Sequence, residues 1–283
     1  MSDLDELTAA DEYCQFLVRR HYENFVAVSG LVRGQQARDL ARIYAYCRTT
    51  DDLGDEGPSG SRLERLQRWR DDVAALFAGS MPLHPVLVAL RETVSRLRLP
   101  EAPFMDLIQA NVQDQSVTAY ESWPELRAYC MLSAAPVGRM VLPVFGIANA
   151  EAVALSDDVC VGLQLANHAQ DVSRDGARGR CYLLQSELRV GGVVAATRGL
   201  CERARELLAA GVELETMAPY AYRVQLRLYR LGGLAIVAAI ARQGFVTDVR
   251  RPHISNATKV LLLVRACCSS LFVLRHEKKL ETA

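Results

Sequence analysis

The sequence has no surplus of charge, no cysteines at metal-binding spacing and no glycine-rich phosphate loop, and each absence removes a class of function. Its 33 basic and 33 acidic residues cancel, so a global nucleic-acid footprint is excluded and any charge that matters is local. Eight cysteines occur without a CxxC pair; only Cys267 and Cys268 adjoin, and no His-Cys metal pattern accompanies them. Such scattered thiols point to a reduced, cytoplasmic protein rather than a disulfide framework. Neither GxxxxGK[ST] nor GxGxxG is present, which leaves no backbone cradle for phosphate. The opening MSDLDELTAADEY is acidic and lacks the apolar core of a signal peptide. Near the other end, KVLLLVRACCSSLFVL (259–274) is apolar but interrupted by Arg265, and its apolar run is shorter than the roughly 20 residues of a bilayer span. A buried last helix is the expectation there, with peripheral membrane contact, helped by the following RHEKK, as the alternative.

What is present is helical. Half of the 283 residues are hydrophobic, enough for a substantial core. Nearly every segment carries helical period and none alternates like a strand. Punctuation falls at GPSG (57–60), GSMP (79–82), LPEAP (99–103), SWP (122–124), DGARG (175–179) and RRP (250–252). About ten helices joined by short connections, with no long linker and no repeat, predict a single all-α domain over 1–283. SAAPVG (133–138) predicts a helix break, since Pro136 removes an amide and crowds the preceding turn. RVQLRLYRLGGLAIVAAI (223–240) predicts a long core helix, whose Gly232-Gly233 pair either eases packing or lowers the wall of a cavity.

Two stripes of oxygen-bearing side chains break the apolar pattern. On a helix over 40–55, Leu40, Tyr44, Cys47, Asp51 and Asp55 share one side, with Arg48 and Asp52 at its margin. The acids continue the apolar face, where a merely solvated patch would occupy the opposite one. They also crowd the negative pole of the helix dipole, at a cost of a few tenths to about 1 kcal/mol each. In 159–183, Gln164, Asn167, Asp171 and Asp175 fall within roughly 80° of arc at helical period. An Asx turn before Gly57-Pro58, or a polar seam paired with a neighbour's Arg or Lys, would explain either stripe alone. Two such stripes, each running into a glycine-containing loop, are better explained by hard cations, because burying so many carboxylates unpaired is prohibitive. Mg²⁺ favours carboxylate oxygens and commonly bridges to substrate phosphates. A diphosphate held through Mg²⁺, helped by Arg48, Arg178 and Arg180, beside an apolar bundle suits diphosphate ionisation and a carbocation kept dry.

At this point the chain resembles the squalene/phytoene synthases, the head-to-head prenyl transferases. The resemblance lies in HYENF (21–25), IYAYCRTTDDLGDEG (43–57), YCMLSAAPVGRMVL (129–142), LQLANHAQDVSRDGARGRCYL (163–183) and RPHISNATK (251–259). HYENF, the SAxPVGR form and DDLGDEG are most similar to the bacterial hopanoid-pathway branch that converts presqualene diphosphate to hydroxysqualene. The resemblance implies an all-α terpenoid-synthase bundle with a central apolar cavity opening between the two aspartate helices. It implies Asp51, Asp52 and Asp55 as the first Mg²⁺-diphosphate cluster and Asn167, Asp171 and Asp175 as the second, with Gln164 a turn earlier. Arg48 and Arg180 match diphosphate-contacting arginines, and Tyr129 and Tyr182 match pocket tyrosines. Phe25, Ser29, Val137, Gly138 and Leu142 match lid and pocket positions. Outside that resemblance Tyr129 and Phe25 read as packed aromatics, and His21 and His168 as structural hydrogen-bonders. Two departures stand out. Arg174 replaces a frequent acid, reducing local negative charge, and Leu184 stands where Pro often follows the RxYL element. The implied reaction consumes no NADPH, and its implied partners are the prenyl diphosphate, a presqualene diphosphate synthase upstream and a squalene-forming reductase downstream. Condensation of two farnesyl or geranylgeranyl diphosphates, or a non-catalytic assembly role on the same fold, are the alternative readings.

Overall fold

The computed structural model describes residues 3–20 and 32–267. They form twelve assigned α-helices and a short 3-10 helix, and residues 256–267 are helical too. Among the described residues there is no strand, only an isolated bridge between Ala119 and Cys181. The described cysteines are free thiols.

Two compact units emerge. One comprises the chain up to Thr118 together with Ala128–Asn149, and the other Ala119–Arg127 together with the chain from Ala150. The first holds α1 (Asp3–Arg20), α2 (Gly34–Asp55), α3 (Ser59–Phe77), α4 (Pro85–Leu97) and α5 (Ala102–Gln113). It also holds the end of α6 (Trp123–Ser133), then α7 (Ala135–Val141) and the 3-10 helix (Leu142–Phe145). Its hub is α2, which packs against α1, α3, α4, α5 and α7. Tyr46 on α2 donates to the Phe104 carbonyl at 2.8 Å, and the Trp69 indole donates to Thr50 at 2.9 Å, so buried polar groups are satisfied as they must be. Arg42, only 2% exposed, is the centre of a buried charge network with Asp11, Asp39 and Glu92.

The second unit holds α8 (Ala150–Gln170), α9 (Val172–Ala177), α10 (Gln185–Ala209), α11 (Gly211–Met217) and α12 (Tyr220–Arg242). Here α8 is the hub, packed on α10, α11 and α12. Its buried charge centre has the opposite sign: Glu215 accepts from Arg227 at 2.6 Å and Arg230 at 2.7 Å.

The punctuation read from sequence falls at helix ends, and α6 gives way to α7 at Ala134 with Pro136 in the first turn. Two features differ. Gly192, at φ 67°, kinks α10 where no break was expected. The last helix is not buried over its described part: Val260, Leu261, Leu263 and Val264 are exposed and only Ala266 is fully covered. These exposed positions follow a non-helical stretch from Arg251 to Ser255.

Candidate functional site

Each hub helix presents one set of acids at its C-terminal end. On α2, Asp51, Asp52 and Asp55 occupy the last two turns. Arg48 pairs with Asp52 at 2.5 Å, one turn along the same helix. Asp51 keeps an accessible surface, yet crowding by protein pushes its carboxyl up to about 7. The Asn111 amide, 3.3 Å away, opposes that rise, as does Arg48, while Asp55 and Asp52 add to it. Asn111 on α5 reaches Asp51 because Gly54 lets the helices close: a Cβ at Gly54 would sit 2.5 Å from Asn111 Oδ1. Gln115, a turn further, donates to the Gly54 carbonyl at 3.1 Å.

On the second hub the helix does not run through the acids as one piece. It ends at Gln170, Asp171 takes a non-helical conformation, and α9 follows. The ladder survives the break, because the Asp171 amide donates to the Asn167 carbonyl at 2.9 Å and the Asp175 amide to the Asp171 carbonyl at 2.8 Å. Asp171 is gripped by Arg251: Nε donates to Oδ1, and Nη2 lies 3.4 Å from Oδ2. Gln170 ties down the same segment by donating to the Pro252 carbonyl at 2.7 Å. Burial and the neighbouring Asp171 push Asp175 up to about 6, against the pull of Arg178, Arg180 and Arg174. Asn167 and Arg178 are exposed, and Gln164 and Arg180 half-buried.

A cavity of about 320 Å³ adjoins this second set, lined by His168, Asp175, Arg180, Tyr182 and Asp248 among others. Tyr182 is stacked between His168, 3.8 Å from ring to ring, and Tyr120 at 6.0 Å. Burial drives His168 down to about 3, so its ring is neutral and its 4.0 Å approach to Asp175 is no ion pair. In the first unit, Tyr129 is buried and donates to Asp114 at 2.8 Å. Gly138 is buried, Val137 half-buried and Leu142 fully enclosed in the core. Phe25 and Ser29 lie outside the described residues.

The structure places Asp51, Asp52 and Asp55 at the end of α2, and Asn167, Asp171 and Asp175 across the break after α8, with Asp51 and Asn167 exposed rather than core-facing. It adds four groups the site reading lacked: Asn111, Gln115, Gln170 and Arg251. Asn111 was findable as a polar side chain at a core position of an apolar helix face, since Leu107, Ile108 and Ala110 around it are buried. Arg251 lies inside a quoted motif, but nothing in its spacing links it to Asp171, 80 residues away.

Among the described residues no three His, Cys, Asp or Glu side chains converge as a ready cage. The donors nonetheless fit Mg²⁺, which keeps several waters and is held by one or two carboxylates plus phosphate oxygens. The upward shifts of Asp51 and Asp175, each reinforced by a neighbouring carboxylate, are those of acids that gain from a bound cation.

Comparison with known proteins gives the family. The squalene/phytoene synthase family matches residues 18–258. Phytoene synthase 3, chloroplastic, of Zea mays is 31% identical over 293 aligned positions, spanning 94% of this chain and 67% of that one. The crystal structure of squalene synthase HpnC from Alicyclobacillus acidocaldarius is 41% identical, with a TM-score of 0.80 over 85% of this chain and 96% of that one. A dehydrosqualene synthase solved with a ligand, at 22% identity, shares the fold with a TM-score of 0.84 over 94% of this chain and 98% of that one.

Proposed function

Because the chain belongs to the squalene/phytoene synthase family, we propose that it acts as a single enzymatic domain and converts presqualene diphosphate to hydroxysqualene with Mg²⁺. The observation that carries this reading is the repeated acid set at the C-terminal ends of both hub helices, with Arg48 and Arg251 already paired to it. Asp51, Asp52 and Asp55 would hold metal at the end of α2; Asn167 in the last turn of α8, with Asp171 and Asp175 beyond it, would hold it on the second hub. Bound there, Mg²⁺ neutralises the diphosphate and makes it a leaving group. The protein supplies the rest. Arg48, Arg178, Arg180 and Arg251 add positive charge for the diphosphate, and Gln164 adds an amide. Tyr129 and Tyr182 would each offer an aromatic face and a hydroxyl to a carbocation, and Val137, Gly138 and Leu142 match pocket positions by resemblance. Phe25 and Ser29 complete the pocket by resemblance. No reductant is consumed.

A second reading is supported by the phytoene synthases among the relatives: condensation of two farnesyl or geranylgeranyl diphosphates at the same residues. The exposed Val260, Leu261, Leu263 and Val264 support peripheral contact of a cytoplasmic enzyme with a membrane that stores its oily product. Coupling to a presqualene diphosphate synthase and a squalene-forming reductase follows from the same reading.

The test is a product assay with Mg²⁺ and no NADPH, presenting presqualene diphosphate and farnesyl diphosphate separately. Hydroxysqualene from the first and nothing from the second is the expected result. Presqualene diphosphate formed from farnesyl diphosphate would move the protein to the condensing reading.

A further inference from the structure

The two glycines of α12 have different surroundings. A Cβ at Gly233 would meet Leu163 and Leu208, each at 2.9 Å, whereas a Cβ at Gly232 would meet nothing within 4 Å. Gly233 thus serves close packing and Gly232 borders open space. On the same stripe of α12, at i, i+4, i+7 and i+11, stand Gln225, Tyr229, Gly232 and Ile236. Two of these, Gln225 and Tyr229, carry polar groups on this stripe. Gln225 is 1% exposed and donates to the Tyr229 hydroxyl at 2.7 Å, but its Oε1 is buried and accepts no hydrogen bond from the described residues.

A buried amide oxygen without a partner costs free energy unless something else fills the valence. The conclusion does not depend on the amide's orientation. As placed, Gln225 Oε1 is left to accept and the Tyr229 hydroxyl to donate. Turned over, the tyrosine donates to the amide oxygen, leaving an N–H to donate and the phenol oxygen to accept. Either way the pair keeps at least one donor and one acceptor side by side, enough to hold a single buried water.

Its position along the second unit gives that water a purpose. A Cβ at Gly233 would meet Leu163 of α8, and a Cβ at Gly211 would meet both Val159 of α8 and Arg230 of α12, so the Tyr229 turn of α12 lies level with the part of α8 that carries Cys160. Cys160, Gln164, Asn167 and Asp171 recur at i, i+4, i+7 and i+11. The pair therefore sits about two turns of α8, roughly 10 Å along its axis, before Asn167.

We propose that Gln225 and Tyr229 hold one buried water and aim it at the carbocation left when diphosphate departs. The inference rests on the hydroxysqualene reading and deepens it. The carbon–oxygen bond to diphosphate has already broken. A lone pair of the water oxygen then forms the new carbon–oxygen bond, and the resulting oxonium ion gives its proton to the released diphosphate. Nothing is oxidised or reduced. The two side chains position the nucleophile; an olefin formed by proton loss is the competing outcome wherever water is absent.

The experiment supplies presqualene diphosphate and Mg²⁺ in ¹⁸O-water to the wild type, Gln225→Leu and Tyr229→Phe, and reads the ratio of labelled alcohol to olefin. That ratio is independent of total turnover. It is expected to fall about tenfold in each variant, the size of one lost hydrogen bond. An unchanged ratio in both variants overturns the proposal while leaving the hydroxysqualene reading intact. A wild type that forms no labelled alcohol overturns the reading itself, and this role with it. Should Gln225→Leu fail to fold, Tyr229→Phe removes only a hydroxyl and decides alone. A crystal structure with no water between the two side chains would also overturn the assignment.

Discussion

The two hub helices reach the same chemistry by different construction. On α2 the acids stay within a regular helix and are approached by a neutral amide, Asn111, across the gap left by Gly54. After α8 the acids straddle a helix break, and the partner is a cation from far along the chain, Arg251. Crowding by protein raises the Asp51 carboxyl, and the Asn111 amide and Arg48 oppose that rise without cancelling it. An arginine neutralises Asp171 in advance and must be displaced or shared when metal binds. Each set thus holds one carboxylate already paired with an arginine and one, Asp51 or Asp175, whose carboxyl stays raised.

The comparison breaks most sharply if only one set serves catalysis. Asp51→Asn and Asp171→Asn remove one anionic oxygen each without changing shape. Each is expected to lower kcat/KM by about 10²–10³, the scale of losing one charge-stabilising group in an active site. Steady-state turnover at saturating Mg²⁺ measures this. A large loss in one variant beside a negligible one in the other would mean that the two sets are not functional equals.

The next effect separates site support from plain stability. Arg42 is the buried charge centre on α2 itself, whereas Glu215 is the corresponding centre away from α8. Arg42→Met strands Asp11, Asp39 and Glu92, and Glu215→Gln strands Arg227 and Arg230. Breaking a buried pair costs roughly 3–5 kcal/mol, which lowers Tm by on the order of 10 °C in a chain of this size. Both variants are expected to melt early. Assayed well below Tm, Arg42→Met is expected to lose turnover as α2 shifts, and Glu215→Gln to keep it. Equal losses would show that the hub position of Arg42 has no special consequence.

Much of this construction was legible before any coordinates. The period of Leu40, Tyr44, Cys47, Asp51 and Asp55 placed the first acids, because α2 is regular to its end. The spacing of Asn167, Asp171 and Asp175 placed the second, although the helix breaks there, because i to i+4 backbone hydrogen bonds continue across the break. Partners from elsewhere were not legible: Asn111 and Arg251 meet their acids only through tertiary packing, which leaves no local pattern. The last helix was misjudged for a related reason. Apolar composition sets what a segment gains from cover, while the geometry of the preceding connection decides whether cover is within reach.

The smallest effect sharpens the comparison at the glycines that accompany each acid set. Gly54 lies between Leu53 and Asp55, and a methyl group there would collide with Asn111 Oδ1 at 2.5 Å. Gly176 directly follows Asp175, and a methyl group there would meet nothing within 4 Å. Neither has a left-handed backbone, so the difference between Gly54→Ala and Gly176→Ala is one of space alone. Overpacking at Gly54 is expected to cost about 1–3 kcal/mol and to weaken Mg²⁺-dependent turnover, since moving Asn111 changes the surroundings of Asp51. Gly176→Ala is expected to change stability by less than about 0.5 kcal/mol. Tm and the Mg²⁺ concentration for half-maximal turnover, measured side by side, read both effects. A harmless Gly54→Ala would mean that α5 can retreat freely and that the approach of Asn111 to Asp51 does not depend on the missing Cβ.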